Sequence, residues 1–235
     1  MKDLNKNFKD SIHDLVWLLD RCYPKKPSVQ LVGDRYRLSS DERKILFRGI
    51  FNSDTAGKRQ KKLTVLSELP GCGLIIDGHN VLRTLQSYLT GKTVFRAMDG
   101  FLRDISGFRT AHGFVRYAHR CAGLLIDFIN NEAFGQNGCS LVTIYLDCPV
   151  SHSAELAGYL RQCLHQNHIS ARVQAVNNPD SVIVKETENM HEQVVATSDT
   201  AVLDKIEKAV DIPQWIITIV FKKEILDLQK LLTNR

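Results

Sequence analysis

The chain has 235 residues, 43% of them hydrophobic, which places it among globular proteins with room for one full domain and a smaller companion. No run approaches the roughly 20 apolar residues that cross a bilayer, and the N-terminal MKDLNKNFKD lacks the apolar stretch of a secretory signal, so a cytoplasmic protein without a membrane partner is expected. The net charge of +5 is uneven, with 15 Lys/Arg against 9 Asp/Glu in residues 1–70 and 16 against 17 thereafter; a basic N-terminal third attracts polyanions, nucleic acid above all, although a charge run also reads as a solvated face.

In chain order, Leu4, Phe8, Ile12, Leu15 and Leu19 fall at helical spacing and predict an amphipathic helix over 3–21, broken by Pro24 and Pro27. VQLVGDRYRL reads as strand-like. Ser39 and Glu42, three apart ahead of Ile45, Leu46 and Ile50, predict a second helix with a capping box. SDTAGKRQKK, from Ser53 to Lys62, is the candidate linker, giving a basic, mainly helical domain over 1–68 and a second domain over 69–235. Beyond Pro70, strands predicted at Gly73–Ile76, Leu141–Leu146, Ala171–Val176, Val194–Thr197 and Ile216–Val220 alternate with helices at 114–130, 153–166, from Pro179, at 200–210 and at 223–232. That alternation is the pattern of an α/β fold with a mostly parallel sheet. Residues 78–140 are longer than one crossover needs and read as an insertion. Six cysteines without a CxxC pair read as reduced core thiols, against a disulfide framework or a zinc site.

Three of the predicted strands end in an acid: LIID in Asp77, TIYLD in Asp147, and VVATSD in Asp199. In a parallel sheet such residues gather along one edge, where these folds place their ligand sites. Asp180 in NNPDSV opens a helix and adds a fourth. Crowded carboxylates raise one another's pKa unless a cation neutralises them, and hard oxygen donors without Cys or paired His suit Mg²⁺ or Mn²⁺. Each acid also has a plainer reading. Asp77-Gly78 is a turn former, Asp180 complements a helix dipole, and Asp199 is an N-cap.

LIIDGHNVL, TIYLDCPVS and VVATSDTAVLD together resemble the PIN-like nucleases, in particular the NYN branch; the likeness spans roughly Cys72 to Val220 and suggests a prokaryotic branch with a basic N-terminal extension. The resemblance implies a PIN-like, Rossmannoid domain in which Asp77, Asp147 and Asp199 bind metal, Asp180 joins them as a catalytic acid, and Asn80 orients the first. The implied activity is metal-dependent hydrolysis of RNA phosphodiester bonds by Mg²⁺ or Mn²⁺, with DNA and homo-oligomerisation left open. The alternatives are an RNA-binding protein that keeps the fold without turnover, and a small-molecule phosphatase.

Substrate contacts are expected from Arg109, His112, Arg116, His119 and Arg120, which share one face if 109–130 is a continuous helix. The basic third offers Lys58, Arg59, Lys61 and Lys62, together with Lys25, Lys26, Arg35 and Arg37 interleaved with Tyr23 and Tyr36. His79 reads either as a proton donor or as a ring packed near the turn. Asp99 and Asp104 read either as extra site acids or as surface charges paired with Arg96 and Arg103.

Overall fold

The protein is described by a computed structural model over residues 6–69, 71–106, 111–133, 138–189 and 192–233, with 66 and 111–116 described by their backbone. Helices α1 (Lys6–Asp20), α2 (Lys25–Arg35), α3 (Ser40–Gly49) and α4 (Ser53–Gln60) precede β1 (Gly73–Asp77) and α5 (Gly78–Leu89). Next come β2 (Val94–Arg96), β3 (Leu102–Asp104), α6 (Ala111–Phe128), β4 (Leu141–Asp147), α7 (Ser153–Gln166), β5 (Ala171–Val176) and α8 (Pro179–Asn189). The chain closes with β6 (Gln193–Ala196), α9 (Thr200–Leu203), β7 (Ala209–Val210), α10 (Ile212–Trp215), β8 (Leu226–Asp227) and α11 (Leu228–Thr233).

The chain divides into two compact units. The first joins residues 1–61 to 92–105 and 224–235; the second holds 62–91 and 106–223. Part of the segment read as an insertion therefore belongs with the N-terminal helices. The first unit is organised by α1, whose Phe8, Ile12, Leu15 and Leu19 are buried at the predicted spacing, against Val29, Leu46 and Ile50 and against Phe95 and Leu228 from the two later segments. Ser39 and Glu42 form the predicted capping box of α3: the Ser39 hydroxyl accepts from the Glu42 amide at 3.3 Å, and the Glu42 carboxylate accepts from the Ser39 amide at 2.8 Å.

Two readings in this unit are corrected. The strand-like VQLVGDRYRL lies largely in helix α2, because Val29, Val32 and Gly33 repeat at helical spacing on its buried side and burial outweighs their strand propensity. The candidate linker is mostly helix α4, opened by Asn52, whose side chain accepts from the Thr55 amide at 2.8 Å.

The second unit is α/β, with a five-stranded parallel sheet in the order β5-β4-β1-β6-β7 flanked by helices. β1 is buried at every position, as a central strand covered on both faces must be, whereas the edge strand β5 alternates in exposure. Burying a side chain such as Ile75 or Ile76 contributes about 1.5–3 kcal/mol. The predicted fifth strand, Ile216–Val220, is instead a π-helical turn. Asp211 caps α10 through the Gln214 amide at 2.8 Å and Pro213 sits in its first turn, so the β-branched run is carried on as helix with Ile216 and Ile217 buried. The fifth strand is Ala209–Val210, read from sequence as the end of a helix; it pairs with Val195 and Ala196. Cys72, Cys121 and Cys139 are buried, but Cys22 and Cys148 are exposed, so not all the thiols belong to the core. Among the described residues no helix is long and apolar enough to cross a membrane.

Candidate functional site at the carboxyl edge of the parallel sheet

From β1 the chain builds outward through β4 to β5, then returns to the other flank of β1 for β6 and β7. The order reverses between β1 and β6, so the loops after these two strands diverge and leave a crevice at their carboxyl ends. Asp77 ends β1, and Thr197, Ser198 and Asp199 follow β6 directly. Because Ile76 pairs with Ala196, the next residues on each strand, Asp77 and Thr197, stand side by side.

Asp77 is 5% exposed. One carboxylate oxygen accepts from the Asn80 amide at 3.3 Å, capping α5, and the other accepts from the Thr197 hydroxyl at 3.0 Å. The turn-former reading and the site reading therefore coexist, each using one oxygen. Burial pushes the Asp77 carboxyl up to about 7; these two hydrogen bonds hold it down in part, while Asp180 and Asp199 push it further up. Thr197 links two of the acids, since its hydroxyl oxygen also accepts from the Asp199 amide at 3.1 Å. Asp199 is an N-cap as well, accepting from the Ala201 amide at 2.7 Å. Asn80, expected to orient Asp77, meets it through its backbone; its side-chain oxygen accepts from the Ser198 amide at 2.9 Å and hydroxyl at 3.1 Å, tying α5 to the loop that carries Asp199.

Asp147 is held differently. β1 stops at Asp77, opposite Tyr145, two residues short of Asp147. The Cys148 amide faces β5, donating to the Val176 carbonyl at 2.8 Å, so the Asp147 amide faces the flank where β1 has ended. His79 supplies what the strand does not: its Nδ1 accepts from the Asp147 amide at 2.8 Å. That contact sets the ring as the neutral tautomer protonated at Nε2, and burial, followed by the Arg83 charge, lowers its pKa to about 4. His79 is thus the packed, hydrogen-bonded ring of the plainer reading. The close approach of α5 to β4 requires Gly78, where a Cβ would lie 2.7 Å from Leu146 Cδ2 and 2.9 Å from the Tyr145 carbonyl oxygen. On the far side, the Ser153 hydroxyl donates to the Asp147 carbonyl at 2.7 Å.

Asp180 is exposed in the first turn of α8. Desolvation by its neighbours raises its pKa, followed by the charges of Asp199 and Asp147, with Lys205 opposing. Asp180 is therefore within electrostatic reach of the other three acids, and Asp199 of Asp77, along one edge, and the donor set, carboxylates with threonine and serine hydroxyls, has the hardness that Mg²⁺ or Mn²⁺ prefers. Among the described residues no three His, Cys, Asp or Glu side chains stand close enough to close on one ion as they are.

The other expected contacts divide. Arg109 lies outside the described residues, as do the side chains of His112 and Arg116. His119 and Arg120 are exposed on α6, and the His119 ring packs on Tyr159 with centroids 4.2 Å apart. Lys58 is exposed and pairs with Asp54 at 2.7 Å, and Lys61 is exposed; Lys62 donates to the Leu203 carbonyl at 2.7 Å. Arg59 is only 5% exposed and lies 3.6 Å from Asp99, so it has no surface to offer a nucleic-acid strand. Asp99 and Asp104 are both buried and not surface charges; the expected pairing with Arg103 is present, Asp99 accepting from both of its terminal nitrogens at 2.6 and 2.9 Å, and Arg96 pairs with Asp227 at 3.3 Å. Thr197, Ser198 and Ser153 hold the acids in place without having been singled out in the sequence. Thr197 and Ser198 sit inside the quoted TSD motif, so their adjacency to the acid was the available signal.

The family model described as "Domain of unknown function (DUF5616)" matches residues 66–215, and that described as "Protein of unknown function (DUF434)" matches residues 7–62. An uncharacterised protein of Methanocaldococcus jannaschii is 26% identical over 212 residues, covering 89% of this chain and 96% of its own. No solved structure matches.

Proposed function

We propose that this chain, which belongs to the DUF5616 family, is a metal-dependent nuclease, a ribonuclease by preference, with Asp77, Asp147, Asp180 and Asp199 as its acids. The observation that carries this reading is the electrostatic coupling of Asp180, in the first turn of α8, to the acids that end β1 and β4 and follow β6, beside the point where the strand order reverses. A buried Asp77 near neutrality is costly to a structural protein and useful to a site that exchanges a proton for a cation. The likeness of LIIDGHN and VVATSD to PIN-like nucleases supports the same reading. So does the positive balance of the first 70 residues, which favours a polyanionic substrate.

Asp77, Asp147 and Asp199 would hold Mg²⁺ or Mn²⁺, with Asp180 beside them and water completing the shell, as Mg²⁺ usually retains several waters. When bound, the ion supplies a water of lowered pKa and neutralises charge developing on phosphate. The chain's own contribution is placement. Thr197 holds one oxygen of Asp77, Asn80 holds the Ser198 turn, and His79 holds the end of β4.

The absence of a ready three-ligand group among the described residues favours a second reading, an RNA-binding protein without turnover. End-labelled RNA, incubated with Mn²⁺, Mg²⁺ or EDTA, separates the two. Metal-dependent cleavage by wild type, lost in Asp77→Asn and Asp199→Asn, is the expected result. Binding without cleavage in every metal selects the second reading, and cleavage that survives both substitutions removes the acidic edge as its site.

A further inference from the structure

The first unit contains a charged cluster that the acidic edge does not use. Around the buried ring of Phe51, Lys25 Nζ lies 3.9 Å from the centroid, the Arg59 guanidinium carbon 4.6 Å and that of Arg103 5.1 Å. Three cations from α2, α4 and β3 thus meet on one aromatic side chain. The fully buried Asp99 takes both terminal nitrogens of Arg103, and Arg59 stands 3.6 Å from it. Arg59 and Arg103 are buried, whereas Lys25 is half-buried and remains within reach of solvent. Beside it, 5.5 Å from its ammonium, is the ring of Phe47, which is 47% exposed.

The Arg103–Asp99 pair would satisfy the core by itself, but Lys25 adds like charge. Its four-carbon stem could carry the ammonium out to water. Instead it sits beside two guanidiniums, and burial followed by Arg103 and Arg59 pulls its pKa down to about 7, against the opposing pull of Asp99. Of the charged groups that act on Lys25, two are guanidiniums and one a carboxylate, so their net field at its ammonium is positive. It is reinforced by the start of α2, which opens at Lys25 with no side-chain cap from Pro24. A positive rim with low-dielectric walls and an exposed ring beside it suits an oxyanion attached to a flat group.

We propose that Lys25 and Phe47 form a binding site for the phosphate group of a nucleotide, Lys25 meeting the phosphate, Phe47 the base, and the buried Arg59 and Arg103 supplying field from behind. This site stands independently of the nuclease reading. The groups that face Lys25 are Arg59, Arg103 and Asp99.

The test titrates the full chain with sulfate, inorganic phosphate, adenosine 5′-monophosphate and adenosine by calorimetry. Sulfate, which keeps its charge across the range, should bind at about pH 6 and weaken at least about tenfold by pH 9 as Lys25 loses its proton. Lys25→Met should cost about tenfold at the lower pH, the worth of one charge-assisted contact. Lys25→Arg should keep the affinity and lose the pH dependence. The monophosphate should bind several-fold tighter than phosphate, an advantage removed in Phe47→Ala. Absence of binding by wild type, wild-type affinity in Lys25→Met, or a monophosphate no tighter than phosphate would each overturn the proposal. If Lys25→Met fails to fold, a pH dependence that persists in Lys25→Arg overturns it equally.

Discussion

Replacing Asp77 by asparagine should stabilise the protein at alkaline pH while removing the activity proposed for it. In the folded chain this carboxyl holds its proton to about pH 7, whereas at its usual pKa of 3.8 it ionises far earlier once unfolded. Its folded pKa is raised, so the stability it contributes is complete below pH 3.8 and is lost as pH rises through 7. The separation is roughly three pH units at about 1.4 kcal/mol each, so about 4 kcal/mol disappears between acid and pH 8. Asparagine has no such dependence. It keeps an oxygen for the Asn80 amide and can still bond to the Thr197 hydroxyl, so the exchange is close to neutral for the local contacts. Urea unfolding of both proteins at several pH values between 4 and 8, in EDTA, reads the difference directly. The variant should gain on wild type by up to about 4 kcal/mol across that range. A divalent ion should then restore stability to wild type and do little for the variant. A difference that stays flat with pH, or a variant less stable than wild type at pH 8, would refute the buried-carboxylate reasoning.

Three further outcomes follow from contacts in the structure. His79→Phe fills the same space but leaves the Asp147 amide without its acceptor, which should cost about 1–3 kcal/mol and speed hydrogen exchange at that amide, while His79→Asn restores an acceptor and most of the loss. Gly78→Ala drives a methyl into Leu146 and the Tyr145 carbonyl, and should cost about 1–3 kcal/mol in a thermal or urea melt. Arg103→Met takes the bidentate partner from the fully buried Asp99, leaving it only the longer 3.6 Å pair with Arg59 among the ion pairs described, and should cost about 3 kcal/mol, so Asp99→Asn in the same background should recover part of it.

Much of the fold could be read because its signals are local. The α1 stripe, the Ser39–Glu42 box, helix 153–166 and four of the five strands of the sheet each rest on spacing within a short window, where side-chain periodicity maps directly onto backbone repeat. The acids were legible for the same reason, each being the abrupt end of an apolar run. The errors fall where residues outside the segment itself, some near and some distant, decided the outcome. Ala209–Val210 is a strand because β6 pairs with it and the chain at Leu63 bridges to Ala209, and Ile216–Val220 is helical because Asp211 and Pro213 start a turn ahead of it. Residues 92–105 and 224–235 join the first unit through contacts with helices far away in the chain.

Sequence alone thus determined which residues end the strands and which faces are apolar, since these depend on chemical type and neighbour spacing. Tertiary structure decided what each polar group does: that Arg59 and Asp99 are interior, that His79 replaces a missing strand carbonyl, and that Thr197 joins two acids. The reason is that a buried polar group takes its role from the partner that satisfies it, and that partner is chosen by the packing of strands and helices far apart in the chain.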